Sequence, residues 1–184
     1  MVRSKAMNSK NNLKRNSPES GLPAWSVIAM GSALAGAVDL TYAILAGAMR
    51  GVPMIAIPQS VASGLLGMKA FREGIASAAL GCALHFSIIF VAASIYFLAS
   101  RRLGALVRRP LMGGLFYGLI IYAVMHEIVL PLSFAPAFKS TTMSFIAELA
   151  MHIVVIGPII AFSASRASIR RIGQSLEGLA STAD

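Results

Sequence analysis

Along the chain, apolar residues do not alternate with polar ones. They run in four long blocks, at about 23–49, 74–99, 110–132 and 143–165, and the short stretches between them hold most of the Lys and Arg. A helix needs about 20 apolar residues to cross roughly 30 Å of hydrocarbon, and each block meets that length. Inside a bilayer a single segment can satisfy its own backbone donors and acceptors only as a helix. The pattern therefore predicts an all-α integral membrane protein: a four-transmembrane-helix bundle over residues 23–165, a basic tail at 1–22 and a second basic tail at 166–184.

The connections carry their own signals. In "IPQSVASGLLGMKAF", Ile57, Val61, Leu65, Met68 and Phe71 recur at spacings of three and four behind Pro58, which suits a helix start. This predicts a short amphipathic helix from Pro58 to Phe71, too short to cross, lying in the interface or re-entering over the bundle. Residues 1–22 are polar and rich in Asn and Ser, with too little apolar surface to offset the entropy of ordering, so a disordered tail is expected. Residues 173–184 are small and polar and are expected to fray. Small residues four apart let helices approach closely in lipid, and Gly31/Ala35, Ala43/Gly47, Ser77/Gly81 and Gly114/Gly118 have that spacing. The last pair, in "GLFYG", equally suits a homo-oligomer.

Composition strengthens the membrane reading: 57% of the 184 residues are hydrophobic and 12% charged, with a mean hydropathy of +0.74. The "ALAGA" at 33–37 resembles a signal-peptide cleavage site, but the apolar run continues to Met49, as a retained span does. Cys82 is the single cysteine, so no intrachain disulfide framework exists. The net charge of +9 follows topology and not a nucleic-acid surface. Twelve of the 16 basic residues flank the spans on one side, and Arg50, Lys69, Arg72 and Lys139 lie on the other. The positive-inside rule then places both termini in the cytoplasm, with the basic flanks against anionic lipid headgroups.

Chemistry enters with "FIAELAMHIVV", where Glu148 and His152 interrupt an apolar stretch one helical turn apart. All three histidines, His85, His126 and His152, fall in predicted spans, as do Asp39, Glu127 and Glu148. Charges at such depth cost a few kcal/mol each unless partnered or neutral. At about 1.5 Å per residue, Asp39, His85 and His152 lie roughly 3 Å to the external side of the span centres, and His126 and Glu148 roughly 7 to 9 Å. One outer-half cluster is expected, with Thr41, Tyr42 and Tyr122 near enough to join it. Glu148 and His152 share a helix face that points into the bundle, toward His126 or Glu127, which cannot both face one way.

Three chemistries fit such a cluster. It could be a polar network that fixes helix register. It could respond to protons, because imidazoles titrate near neutrality and the site would face the external side. It could hold zinc as cofactor through His85, His126, His152 and Glu148, as a membrane hydrolase would, although no ligand motif fixes these positions. No catalytic residue is assigned, and the chain is read as a non-enzyme or as an accessory subunit of a membrane complex.

From His85 onward, "LHFSIIFVAASIYFLASRR", "MHEIVLPLSFAP" and "FIAELAMHIVV" give a histidine opening a span, a histidine shortly before Pro131-Leu132, and E-x-x-x-H. This pattern, over about the last hundred residues, resembles the YagU-like bacterial inner-membrane proteins. The resemblance implies a multi-helix inner-membrane bundle and a role in surviving external acid, with His85, His126, Glu148 and His152 at the matching polar positions.

Overall fold

A computed structural model describes residues 23–137 and 141–182; the N-terminal tail and Lys139 lie outside the described residues. Every regular element among them is helical. We number them α1 (Ala24–Met49), α2 (Ala56–Leu66), α3 (Gly74–Arg102), α4 (Gly104–Arg108), α5 (Pro110–Leu132) and α6 (residues 142–182), with a 3-10 turn, Gly67–Arg72, between α2 and α3. α1, α3, α5 and the Thr142–Ile169 part of α6 are long and apolar enough to cross a membrane, as a multi-pass membrane protein requires. Helix α6 continues past the expected end of its span at Ser165, running through the "basic tail" to Thr182.

Local chemistry sets the helix ends. Pro110 opens α5, where a missing N–H costs nothing. Thr141 caps α6, its hydroxyl accepting from the Ser144 amide at 3.2 Å. Gly67 closes α2 and Gly74 opens α3, both at positive φ (58° and 59°), where a side chain would be strained.

Helix α6 is central: it packs against α1, α3 and α5, whereas α3 and α5, though consecutive, barely approach each other. An apolar groove of about 490 Å³ lies between them, bridged where the Tyr117 hydroxyl donates to the Ala92 carbonyl at 2.7 Å. Large apolar side chains such as Leu34, Ile95, Phe116 and Val154 point outward, where lipid covers them.

Toward the basic end of the bundle the interior is close-packed. Ala35, Ala93, Ala161, Ala164 and Ala167 are buried beside Ile156, Ile160 and Tyr96. Gly31 faces the Ser163 side chain, and Ser100 and Ser168 pair at 3.0 Å. Gly114 and Gly118 face Gly157, Pro158 and the His152 carbonyl of the same chain, so that glycine face is occupied by α6.

Helix α2 and the 3-10 turn form the expected short segment between the first two spans. The buried positions are Pro58, Gln59, Ala62 and Ser63, while Leu65 and Met68 are exposed. Pro58 and Ala62 lie on Gly81 of α3, where a Cβ would strike the Pro58 carbonyl. Gln59 donates to the Gly74 carbonyl (3.0 Å), and the Gly64 carbonyl accepts from the Phe134 amide (3.0 Å). Small and polar residues bury against protein here and the apolar ones turn outward, the arrangement of a segment that dips into lipid.

Candidate functional site

The half of the bundle away from the basic end is built differently. Both α5 and α6 widen there by one π turn, at Met125–Val129 and His152–Ile156. In each the hydrogen bond spans five residues: the Leu130 amide donates to Met125 O, and the Gly157 amide to His152 O. Each turn ends two residues before a proline, Pro131 or Pro158. A proline inside a helix donates nothing to the carbonyl four residues back and its ring presses on it; a wider turn relieves that contact. His126 lies in the first π turn and His152 opens the second, so the two prolines shape the backbone that carries two of the three histidines.

The ionisable groups sort by depth. Asp39 lies ten residues from the end of α1 at Met49, and His85 eleven from the start of α3 at Gly74, both about 15 Å or slightly more from that end. His126 lies six residues from Leu132 and Glu148 six from Thr142, both about 9 Å deep. Groups at equal depth face each other: His85 Nε2 is 3.9 Å from Asp39 Oδ2, and His126 Nε2 is 3.9 Å from Glu148 Oε2. One pair ties α1 to α3 and the other ties α5 to α6.

Backbone carbonyls decide where the ring protons sit. A carbonyl has no hydrogen to give, so His126 Nδ1 donates to Tyr122 O (3.2 Å) and His152 Nδ1 donates to Glu148 O (2.9 Å). Neutral His126 therefore turns a bare Nε2 lone pair toward the Glu148 carboxylate. Two acceptors cannot bond each other, and at 3.9 Å the contact is an ion pair only when the ring carries a second proton. His85 differs: its Nε2 donates to the Gly36 carbonyl at 3.0 Å, so its neutral form is already satisfied beside Asp39. Tyr122 completes the deeper wall, stacked on His126 (centroids 4.0 Å, 23°) and edge-on to His152 (5.5 Å, 69°).

Not every expected member joins. Glu127 is exposed on the outside of the bundle, because His126 takes the inward direction. Thr41 is also exposed, while Tyr42 lines the cavity described next. Of the four residues expected as zinc ligands, His126 and Glu148 form one pair, His85 pairs with Asp39, and His152 stands outside both pairs. Among the described residues no three His, Cys, Asp or Glu side chains gather as metal ligands.

Asp39 and Glu148, one from each pair, open onto the same cavity of about 490 Å³. It lies between α1, α2 and α6, with His152, Tyr42 and Phe71 in its walls and Arg50 among its lining residues. Asp39, Tyr42, Ala46 and Arg50 reach it from one face of α1, at successive helical spacings. Sequence reasoning counted Arg50 only as a loop charge. Its spacing of eleven from Asp39, three turns and so the same face, was the available signal. The π turns were also unread, though Pro131 and Pro158 inside predicted spans announce them.

Comparison with family models, with curated proteins and with solved structures gave no match.

Proposed function

We propose that the chain is a proton-responsive protein of the bacterial inner membrane, with both termini cytoplasmic and its paired half on the external side. The observation that carries the reading is the His126–Glu148 geometry. A ring whose Nδ1 is committed to a carbonyl presents a bare Nε2 to a carboxylate 3.9 Å away, on the neighbouring helix. A proton arriving from outside is held between α5 and α6, and the widened turns beside it give the backbone room to follow. Histidine ordinarily changes charge between pH 5 and 8, the range of mild external acid. The resemblance to the YagU-like proteins supports a role in acid survival. The test is backbone hydrogen exchange on the purified full chain in detergent at pH 7.5 and 5, corrected for intrinsic rates. Protection across residues 125–130 and 152–157 is expected to change severalfold between the two, and to stay constant in the Asp39→Asn/Glu148→Gln double variant. Equal protection at both pH values in the wild type would overturn the reading, and would favour a network that serves only to fix helix register.

A further inference from the structure

The cavity shared by the two pairs has a composition that the proton reading does not use. Its charged groups are Asp39 from α1, Arg50 just past the end of α1, and Glu148 from α6, with His152 beside them. α2 contributes Ala56, Ile57 and Ser60 and nothing that titrates. Behind the carboxylates stand His85 on α3, facing Asp39, and His126 on α5, facing Glu148, with Tyr122 stacked against His126. With the imidazoles neutral, two carboxylates and one guanidinium leave the cavity one negative charge in excess.

We propose that this cavity binds a small organic monocation and exchanges it for protons. Three features carry the proposal. The excess charge sits deep between helices, where a carboxylate without a counter-charge is costly, so a cationic partner gains strongly. Tyr42 in the wall supplies an aromatic side chain of the kind that binds an alkylammonium group by cation–π attraction. A volume of about 490 Å³ accommodates a compact organic cation and exceeds what an inorganic ion needs.

The exchange follows from shared carboxylates and rests on the proton reading above. A proton on His126 draws Glu148 toward the ring, whereas at His85, whose Nε2 already donates to the Gly36 carbonyl, an added proton goes to Nδ1 and acts on Asp39 only as the positive charge of the ring. A carboxylate held by an imidazolium has less charge to give the cavity. Proton and cation therefore compete, and by linkage each expels the other with equal strength. Arg50 lies eleven residues from Asp39 on the same face of α1, about 16 Å along the axis and toward the external end. At that position its positive charge discourages divalent cations at the entrance while leaving a monocation a net attraction within.

The experiment is isothermal titration of tetraethylammonium into the full chain in detergent. This probe is permanently charged, so its own titration cannot imitate the coupling. At pH 8 the wild type is expected to bind it, and Asp39→Asn and Glu148→Gln each to weaken binding tenfold or more. At pH 5 wild-type affinity is expected to fall at least tenfold, whereas a His85→Asn/His126→Asn double variant keeps its pH 8 affinity at pH 5. Absence of wild-type binding at pH 8, or undiminished binding in both carboxylate variants, overturns the cation site. Neither result touches the proton reading, whose exchange measurement contains no cation. Binding that is equal at pH 8 and 5 in the wild type overturns the exchange.

Discussion

The two halves of this bundle share helices but not the means of holding them together. Toward the basic end, α1, α3, α5 and α6 meet through Ala, Gly and Ser, with backbones in near contact at Gly114, Gly118 and Gly157. Toward the other end a cavity opens between α1, α2 and α6, two imidazole–carboxylate pairs at 3.9 Å link α1 to α3 and α5 to α6, and α5 and α6 are widened by π turns. Lipid offers helices no hydrophobic drive to associate, so close packing of small residues has to supply it. A tightly packed half frees the other to hold polar groups at distances no packing optimum would select. The second half is then the part able to respond.

Gly118 stands at the border, under the His152 carbonyl, and gives the largest effect. Gly118→Leu has backbone to displace and no flexible side chain to move, so a loss of about 3 kcal/mol or failure to fold is expected in thermal unfolding. A folded variant with unchanged midpoint would show that the packed half does not hold the bundle. Pro131→Ala separates the halves more sharply: it returns a donor for the Glu127 carbonyl and lets the π turn close to an α turn. The thermal midpoint should hold or rise while the pH-dependent exchange around His126 is lost. A retained pH response would mean that the wide turn is incidental to the pair.

Smaller effects follow within each half. Tyr122→Leu removes the ring stacked on His126 and should cost about 1 kcal/mol, whereas Tyr122→Phe should be nearly neutral. The Tyr122 hydroxyl is buried without a partner among the described residues, so its removal forfeits no hydrogen bond. Ser168→Ala breaks the pair with Ser100 and should cost only about 0.6 kcal/mol in the thermal midpoint, the usual scale for such bonds between membrane helices.

The spans were legible because a bilayer imposes a length on every crossing segment, and boundaries near Met49, Gly74, Pro110 and Leu132 follow from that length. Depth arithmetic also put Asp39 level with His85, and His126 level with Glu148, but depth says nothing about rotation, so which groups face each other was not readable. Helix α2 was legible as a short amphipathic segment, though spacing alone does not say which face meets protein. Against water the apolar face of a helix is its buried face. Against lipid that relation reverses, and Leu65 and Met68 point outward while Gln59 and Ser63 are buried. The π turns escaped because pattern analysis assumes 3.6 residues per turn throughout. The extra residue rotates everything beyond it, and Pro131 and Pro158 were the only notice of it in the sequence.

The most direct measurement is nuclear magnetic resonance of the full chain in lipid nanodiscs with ¹⁵N-labelled histidine, from pH 8 to 4.5. Three histidines make three ring systems, assignable by single His→Asn variants. The account predicts that His126 gains its Nε2 proton within this range and that Glu148→Gln shifts its midpoint while leaving that of His85 in place. A His126 ring unchanged in protonation across the range, or a midpoint indifferent to Glu148→Gln, would contradict it.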